Sequence, residues 1–136
     1  MGSTRKTIRK AIAAIFVTEG SFTGGVLAYA PVDLQGMSPV LSIYTSKTHH
    51  IQESYASQHN FYTYNLEVLI KRVGGETAED AFDDLHEAIR ATIKTNQSNA
   101  NWDYLSLEDP SDAYFAEISG VAYRVETHPL YVKETT

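Results

Sequence analysis

The segment formed by residues 61–95 constrains the fold of this chain more than any other part of it. Apolar and polar side chains alternate over residues 61–72, which is the period of a half-buried β-strand. A Gly-Gly pair follows at positions 74 and 75, and apolar residues then recur at helical spacing over residues 78–95. A long strand followed closely by an amphipathic helix predicts an α+β domain.

The predicted strand and the predicted helix each have one apolar side that must be buried. On the strand this side contains Tyr62, Tyr64, Leu66, Val68 and Ile70. On the helix, which we predict over residues 78–95, it contains Phe82, Leu85, Ile89 and Ile93. We therefore expect the helix to pack on this face of the sheet.

Weaker patterns predict the remaining elements. They indicate a first helix over residues 4–17, a second long strand over residues 114–127, and shorter strands over residues 26–30, 40–45 and 102–107. Gly120 inside the second long strand is typical of a bulge or a close backbone approach, and the His128-Pro129 pair is expected to end that strand before a short edge at 130–133. The result is one domain, residues 1–136, with a mixed or antiparallel β-sheet of about four to five strands flanked by an N-terminal helix and one long central helix.

The polar segment formed by residues 46–60 is long for a connection inside a compact domain. It contains His49, His50 and His59, three of the five histidines. Two readings stay open from the residues alone. The segment is either the tip of an extended hairpin or a functional arm.

Composition excludes several classes of protein. Hydrophobic residues make up 43% and charged residues 21% of the chain, which is typical of a folded domain rather than a disordered one. There is no cysteine, so disulfides and thiolate metal sites are excluded. The apolar run at residues 11–17 is too short to span a bilayer and is expected to be part of a helix. The net charge of -6 argues against stable binding to a phosphate backbone.

The sequence contains no motif that carries chemistry. His49, His50 and His59 have no partners at metal-ligand spacing, so we expect solvated histidines and no metal site. The glycine pair before the central helix lacks the pattern of a phosphate-binding loop, and acidic residues follow it. We therefore expect no catalytic residue, no cofactor and no enzyme activity.

The order of elements resembles that of the siphophage tail terminator, or tail completion, proteins of the minor tail protein U type. The similarity is carried by Ser38-Pro39-Val40-Leu41-Ser42-Ile43, by Phe61-Tyr62 with Tyr64-Asn65-Leu66-Glu67-Val68, by the helix at 78–95, and by the run from Ile118 to Glu126. Together these features span most of the chain.

The resemblance implies a structural virion protein without catalysis or cofactor. Such proteins form a hexameric ring that caps the tail tube, ends its polymerisation and offers a docking surface to the head connector. The partners implied are further copies of the chain, the tail tube protein and a head-completion or connector protein. DNA would pass through the ring without specific binding, and no membrane would be involved. The place implied is the tail-to-head junction of the virion, with assembly in the host cytoplasm.

A closed ring needs a different patch on each side of the subunit. The candidates for two complementary patches are a basic set, Arg5, Lys6, Arg9 and Lys10, and an acidic set, Glu79, Asp80, Asp83 and Asp84. The histidines of segment 46–60 are further interface candidates. Two alternative functions stay open, a neck or head-completion connector of a phage and a small α+β enzyme.

Overall fold

A computed structural model describes residues 5–52, 57–72, 75–107 and 111–135 of the chain. Within these ranges two helices and six strands follow one another as α1 (Arg5–Glu19), β1 (Gly25–Leu27), β2 (Val40–Gln52), β3 (Gln58–Lys71), α2 (Gly75–Thr95), β4 (Tyr104–Ser106), β5 (Asp112–Ile118) and β6 (Val121–Thr135). The predicted α+β class is confirmed. No helix in these ranges combines the length and the apolar character needed to cross a membrane.

The strands form one mixed sheet in the order β1-β2-β3-β6-β4, and β5 pairs with another part of β6. Strand β1 runs parallel to β2, whereas the other pairs are antiparallel. The described residues contribute six strands, more than the expected four to five, because the second long strand predicted from the sequence is in fact two strands.

Both helices cover the same face of the sheet. Their buried side chains, among them Ile12, Phe16 and Ile89, join the even-numbered residues of β3 in one core cluster. Leu85 and Leu66 belong to the same cluster, so the predicted packing of α2 on β3 is confirmed. We refer to this side of the sheet as the helical face.

The opposite face has a smaller core. It contains Leu34, Val40, Leu69, Tyr123 and Val125. The segment between β1 and β2 covers it, since Leu34 packs there and Met37 accepts a hydrogen bond of 3.1 Å from the Tyr123 hydroxyl.

The polar segment at 46–60 is a hairpin rather than a long loop. Its residues extend β2 to Gln52 and begin β3 at Gln58, with residues 53–56 outside the described ranges. The register of β2 against β3 shifts between Thr45 and Lys47, so Ser46 is an extra residue. We call residues 46–52 and 58–63 the distal hairpin. Of the two open readings, the structure confirms the extended hairpin.

Gly120 lies in a tight turn, and the expectation of one continuous strand over residues 114–127 is wrong. Ser119 and Gly120 both have positive φ, 50° and 80°, and they join β5 to β6 as the two central residues of a hairpin turn. Two successive residues of positive φ match the twist of antiparallel strands, which is why such turns are favoured in short hairpins.

Pro129 lies inside β6, so the expected interruption at His128-Pro129 is also wrong. β5 pairs with β6 only as far as Thr127, and β4 pairs with it only from Tyr131. Within the described residues, β6 is therefore a local edge strand around Pro129, and edges are where a residue without an N–H is tolerated.

Candidate assembly surfaces and a buried histidine cluster

The distal hairpin exposes an unusual length of strand. The first four residues of β2, from Val40 to Ile43, are buried, but all seven residues from 46 to 52 are exposed. Strand β1 covers the outer edge of β2 only as far as Ser42, so beyond it this edge has no strand partner among the described residues. Exposed backbone donors and acceptors on such an edge can pair with another chain.

Hydrogen bonds nevertheless connect the distal hairpin to the rest of the domain. Because of the shifted register, Thr48 faces the helical side, where its hydroxyl accepts a hydrogen bond of 3.2 Å from Arg5 Nη1. The Tyr64 hydroxyl donates to the Arg5 carbonyl at 2.7 Å. Farther out, Asn60 Nδ2 donates to Glu134 Oε2 at 2.7 Å, and both of these side chains are buried. The distal hairpin is therefore linked to the N-terminus of α1 through Thr48 and to β6 through Asn60.

The three histidines of this segment make different contacts. His49 is exposed and packs its ring near Phe61, whereas His50 contacts Asn60 and the edge of the Tyr62 ring. His59 is half-buried, with Nδ1 3.2 Å from the Thr135 hydroxyl. They remain interface candidates by position, since all three lie on the distal hairpin.

The two charged sets lie at opposite ends of the helical face. In the basic set Arg5, Lys6 and Lys10 are exposed, and Arg9 is half-buried; the members of the acidic set are all exposed, namely Glu79, Asp80, Asp83 and Asp84. The basic set begins beside Tyr64, whereas Glu79 contacts Arg124, which pairs in register with Ile70. Six residues of strand separate these two positions on β3, or about 20 Å. The described residues show no ion pair between the sets.

A second exposed feature surrounds β5. The Phe115 ring is 60% exposed, and the guanidinium groups of Arg72 and Arg124 lie 4.4 and 4.5 Å from its centre. Arg124 also forms an ion pair of 3.4 Å with Glu79. Cation–π contacts of this kind orient an aromatic ring while leaving it accessible.

Several strand tyrosines are protonated well into the alkaline range. Burial, with Glu67 as a further cause, raises the pKa of Tyr44 to about 12, and the hydroxyl donates to Glu67 Oε2 at 2.9 Å. Burial also raises the pKa of Tyr64 above its usual value. These phenols are therefore hydrogen-bond donors that hold structure, not groups poised for proton transfer near neutral pH.

One cluster of metal-ligating residues forms where α2 meets β6. His86 on α2 and the pair Glu126 and His128 on β6 bring one ligand atom each to within 4.8 Å of the other two. Glu126 Oε1 lies 2.9 Å from His128 Nε2 and 3.4 Å from His86 Nδ1. The ring centres of the two histidines are 5.2 Å apart.

Burial differs across this cluster. The side chain of His128 is 5% exposed, that of Glu126 is 12% exposed and that of His86 is 34% exposed. Burial lowers the pKa of His128, against the opposing effect of the Glu126 carboxylate. Ser111 Oγ donates to Glu126 Oε2 at 2.9 Å and so orients this carboxylate. The cluster thus has a buried end at His128 and a solvent-facing end at His86.

The sequence analysis missed this cluster because it considered only the histidines of the distal hairpin. A local signal was present, since Glu126 and His128 are two residues apart on a strand and must share a face. His86 lies one position after the core residue Leu85, on the flank of the apolar stripe of α2. The sequence alone does not show that α2 packs over this part of β6.

Comparison with known proteins adds no identification. No protein-family model and no curated protein matches this chain. The surfaces described above and the resemblance in sequence pattern remain as the basis for a functional proposal.

Proposed function

We propose that this protein is a structural component of a phage virion that caps the tail tube. Six identical subunits would form a ring at the junction between tail and head. The ring would end polymerisation of the tail tube protein and offer a docking surface to the head-completion or connector protein. DNA would pass through it without specific binding, which agrees with the net charge of -6.

The observation that carries this proposal is the outer edge of β2 beyond Ser42, along which no strand pairs among the described residues. Long exposed edges are a liability for a soluble monomer, and natural proteins cover them or blunt them. Here Lys47, His49 and His50 blunt the edge in part, but the strand stays extended and exposed over seven residues. A neighbouring subunit that adds its own backbone to this edge would satisfy it.

The separation of the two charged sets supports a ring rather than a two-fold dimer. A ring repeats one contact between two different patches, so complementary charges belong on opposite sides of the subunit. The basic set beside the distal hairpin and the acidic set at the start of α2 have this arrangement. Exposed ion pairs are individually weak, so they would guide orientation more than they would add affinity.

The first test is the mass of the purified full-length protein in solution. Light scattering should give about 90 kDa for six chains of 15.1 kDa each, and negative-stain images should show rings. The matched variant replaces residues 51–59 by Asn-Gly, a two-residue turn that keeps the pairing of His50 with Asn60. We expect this variant to fold and to assemble less readily, because it removes the outer end of the exposed edge. A wild-type monomer at assembly concentrations would contradict the proposal.

The second measurement distinguishes the tail cap from its alternative. Phage assembly extracts that lack this protein should produce overlong tails, and the wild-type protein should restore normal length while the shortened variant should not. Tails of normal length that fail to join heads would instead identify a neck or head-completion connector. Normal, infectious tails made with the shortened variant would exclude a contact role for residues 51–59 at the outer end of the distal hairpin.

A further inference from the structure

The cluster of His86, Glu126 and His128 contains a buried nitrogen that the protein does not satisfy. His128 Nε2 lies 2.9 Å from Glu126 Oε1, close enough for an ion pair if the imidazole is protonated, but this buried nitrogen has no well-formed hydrogen bond. A buried polar atom without a partner destabilises the fold and calls for an explanation. Two ligand atoms directed at a shared cation would be close together without bonding to each other, as these two are.

The spacing of the ligand atoms fits a small divalent ion. Bonds of about 2.0 to 2.2 Å arranged tetrahedrally separate neighbouring ligand atoms by about 3.3 to 3.6 Å. The separations from Glu126 Oε1 are 2.9 Å to His128 Nε2 and 3.4 Å to His86 Nδ1. All three atoms lie within 4.8 Å of one another, so a shift of the solvent-facing His86 side chain is enough to bring the three ligand atoms to coordination distance of one ion.

The donor set and its surroundings select the class of metal. Two imidazole nitrogens and one carboxylate oxygen suit zinc and its neighbours in the first transition row, whereas magnesium and calcium prefer sets of oxygen ligands. The hydrogen bond from Ser111 to the second oxygen of Glu126 supplies the orienting contact typical of a carboxylate ligand.

We propose that His86, Glu126 and His128 form a binding site for a zinc-class divalent transition metal ion. The ion would tie the middle of α2 to β6, and three protein ligands would leave one coordination position open at the solvent-facing side of His86. Because a folded site binds the ion and an unfolded chain does so only weakly, the ion would stabilise the fold. This site is independent of ring formation and of the proposed role in the tail.

The test uses full-length protein without a histidine tag, first treated with a chelator and then titrated with zinc by calorimetry. One zinc ion should bind per chain, and zinc at about 100 times its Kd should raise the Tm by about 5 to 10 °C. Magnesium at the same concentration should leave the Tm unchanged. Cobalt in place of zinc should show the visible absorption of a low-coordinate nitrogen and oxygen site.

One substitution and a control test whether the ion binds at this cluster. His86→Gln removes the most exposed ligand, so it should fold normally by circular dichroism and should weaken zinc binding by about 10- to 100-fold or more. The control, His49→Gln, removes an exposed histidine of the distal hairpin and should bind zinc as the wild type does. Equal zinc affinity in His86→Gln and the wild type would overturn the proposal, as would equal losses in both variants or no binding by the wild type.

A measurement on the wild type keeps the proposal testable even if His86→Gln fails to fold. Nitrogen NMR spectra of the imidazole rings distinguish a metal-bound nitrogen from a protonated one. Zinc should shift Nδ1 of His86 and Nε2 of His128 in the same titration step. Shifts confined to other histidines would overturn the assignment.

Discussion

The packing of α2 on the sheet can be tested most directly at Ile89. This side chain is 0% exposed and lies in the core that α1, α2 and the helical face of the sheet share. Replacing it with alanine removes three carbon atoms from the centre of this core and leaves the rest of the helix intact. The next residue, Arg90, is exposed, so the substitution at position 89 changes the buried side of the helix and leaves its exposed side as it is.

The expected cost follows from the burial of Ile89. Each buried carbon contributes about 0.8 kcal/mol, so the lost transfer free energy is about 2.4 kcal/mol. The cavity left in a core that relaxes only partly adds about 1 to 2 kcal/mol. Alanine is the better helix former by about 0.4 kcal/mol, which offsets a small part of the loss. The net decrease in the free energy of unfolding should be about 3 to 4 kcal/mol.

Thermal and urea unfolding of Ile89→Ala measure this decrease. For a chain of this length the Tm should fall by about 10 to 14 °C. The matched control is Val17→Ala on α1, because Val17 is 62% exposed and its replacement should change the free energy of unfolding by less than about 0.5 kcal/mol. An equal and small effect of the two substitutions would refute the placement of α2 over the core.

Two further predictions concern tyrosine ionisation and assembly. Burial and Glu67 raise the pKa of Tyr44 to about 12, so the folded state keeps this proton to a higher pH than the unfolded state does. The stability that results is present below about pH 10 and is lost as the pH rises toward 12. Tyr44→Phe should remove one late step from the ultraviolet titration of tyrosinate and flatten the alkaline loss of stability; an unchanged titration would contradict this. Lys6→Glu should weaken ring assembly and its salt dependence, measured by light scattering, whereas the matched reversal Lys94→Glu at the far end of α2 should not. Equal behaviour of the two variants would exclude the basic set from the subunit contact.

The elements that sequence reasoning predicted well are those that local periodicity determines. Helix α2 ends at Thr95, as expected, because its apolar stripe and its terminal charges are properties of a single segment. The apolar face of β3 was equally visible, since alternation alone assigns Leu66 and Val68 to one side. No long-range information is needed for either inference.

The errors arose where the neighbours of a residue decide its role. The sequence predicts a bulge or a close backbone approach at Gly120 because the residues on both sides favour strands, and only the pairing of β5 with β6 reveals a turn. It predicts an interruption at Pro129 because the local edge that tolerates this residue depends on where β4 and β5 stop pairing. The histidine cluster joins residues 86, 126 and 128 through the same distant register, which explains why sequence reasoning missed it.

The contacts of Arg5 bear on how the proposed ring would use the distal hairpin. Its side chain donates to Thr48 on β2, and its carbonyl accepts from Tyr64 on β3, so the start of α1 and both strands of the hairpin are joined through one residue. A neighbour that pairs with the exposed edge of β2 would therefore meet the basic set at the same time. The acidic set begins near Ile70, about 20 Å from Tyr64 along β3, and its exposed Asp80, Asp83 and Asp84 could face the subunit on the other side. Edge pairing and charge steering would then act at one interface rather than two, because the basic set and the edge belong to the same rigid unit.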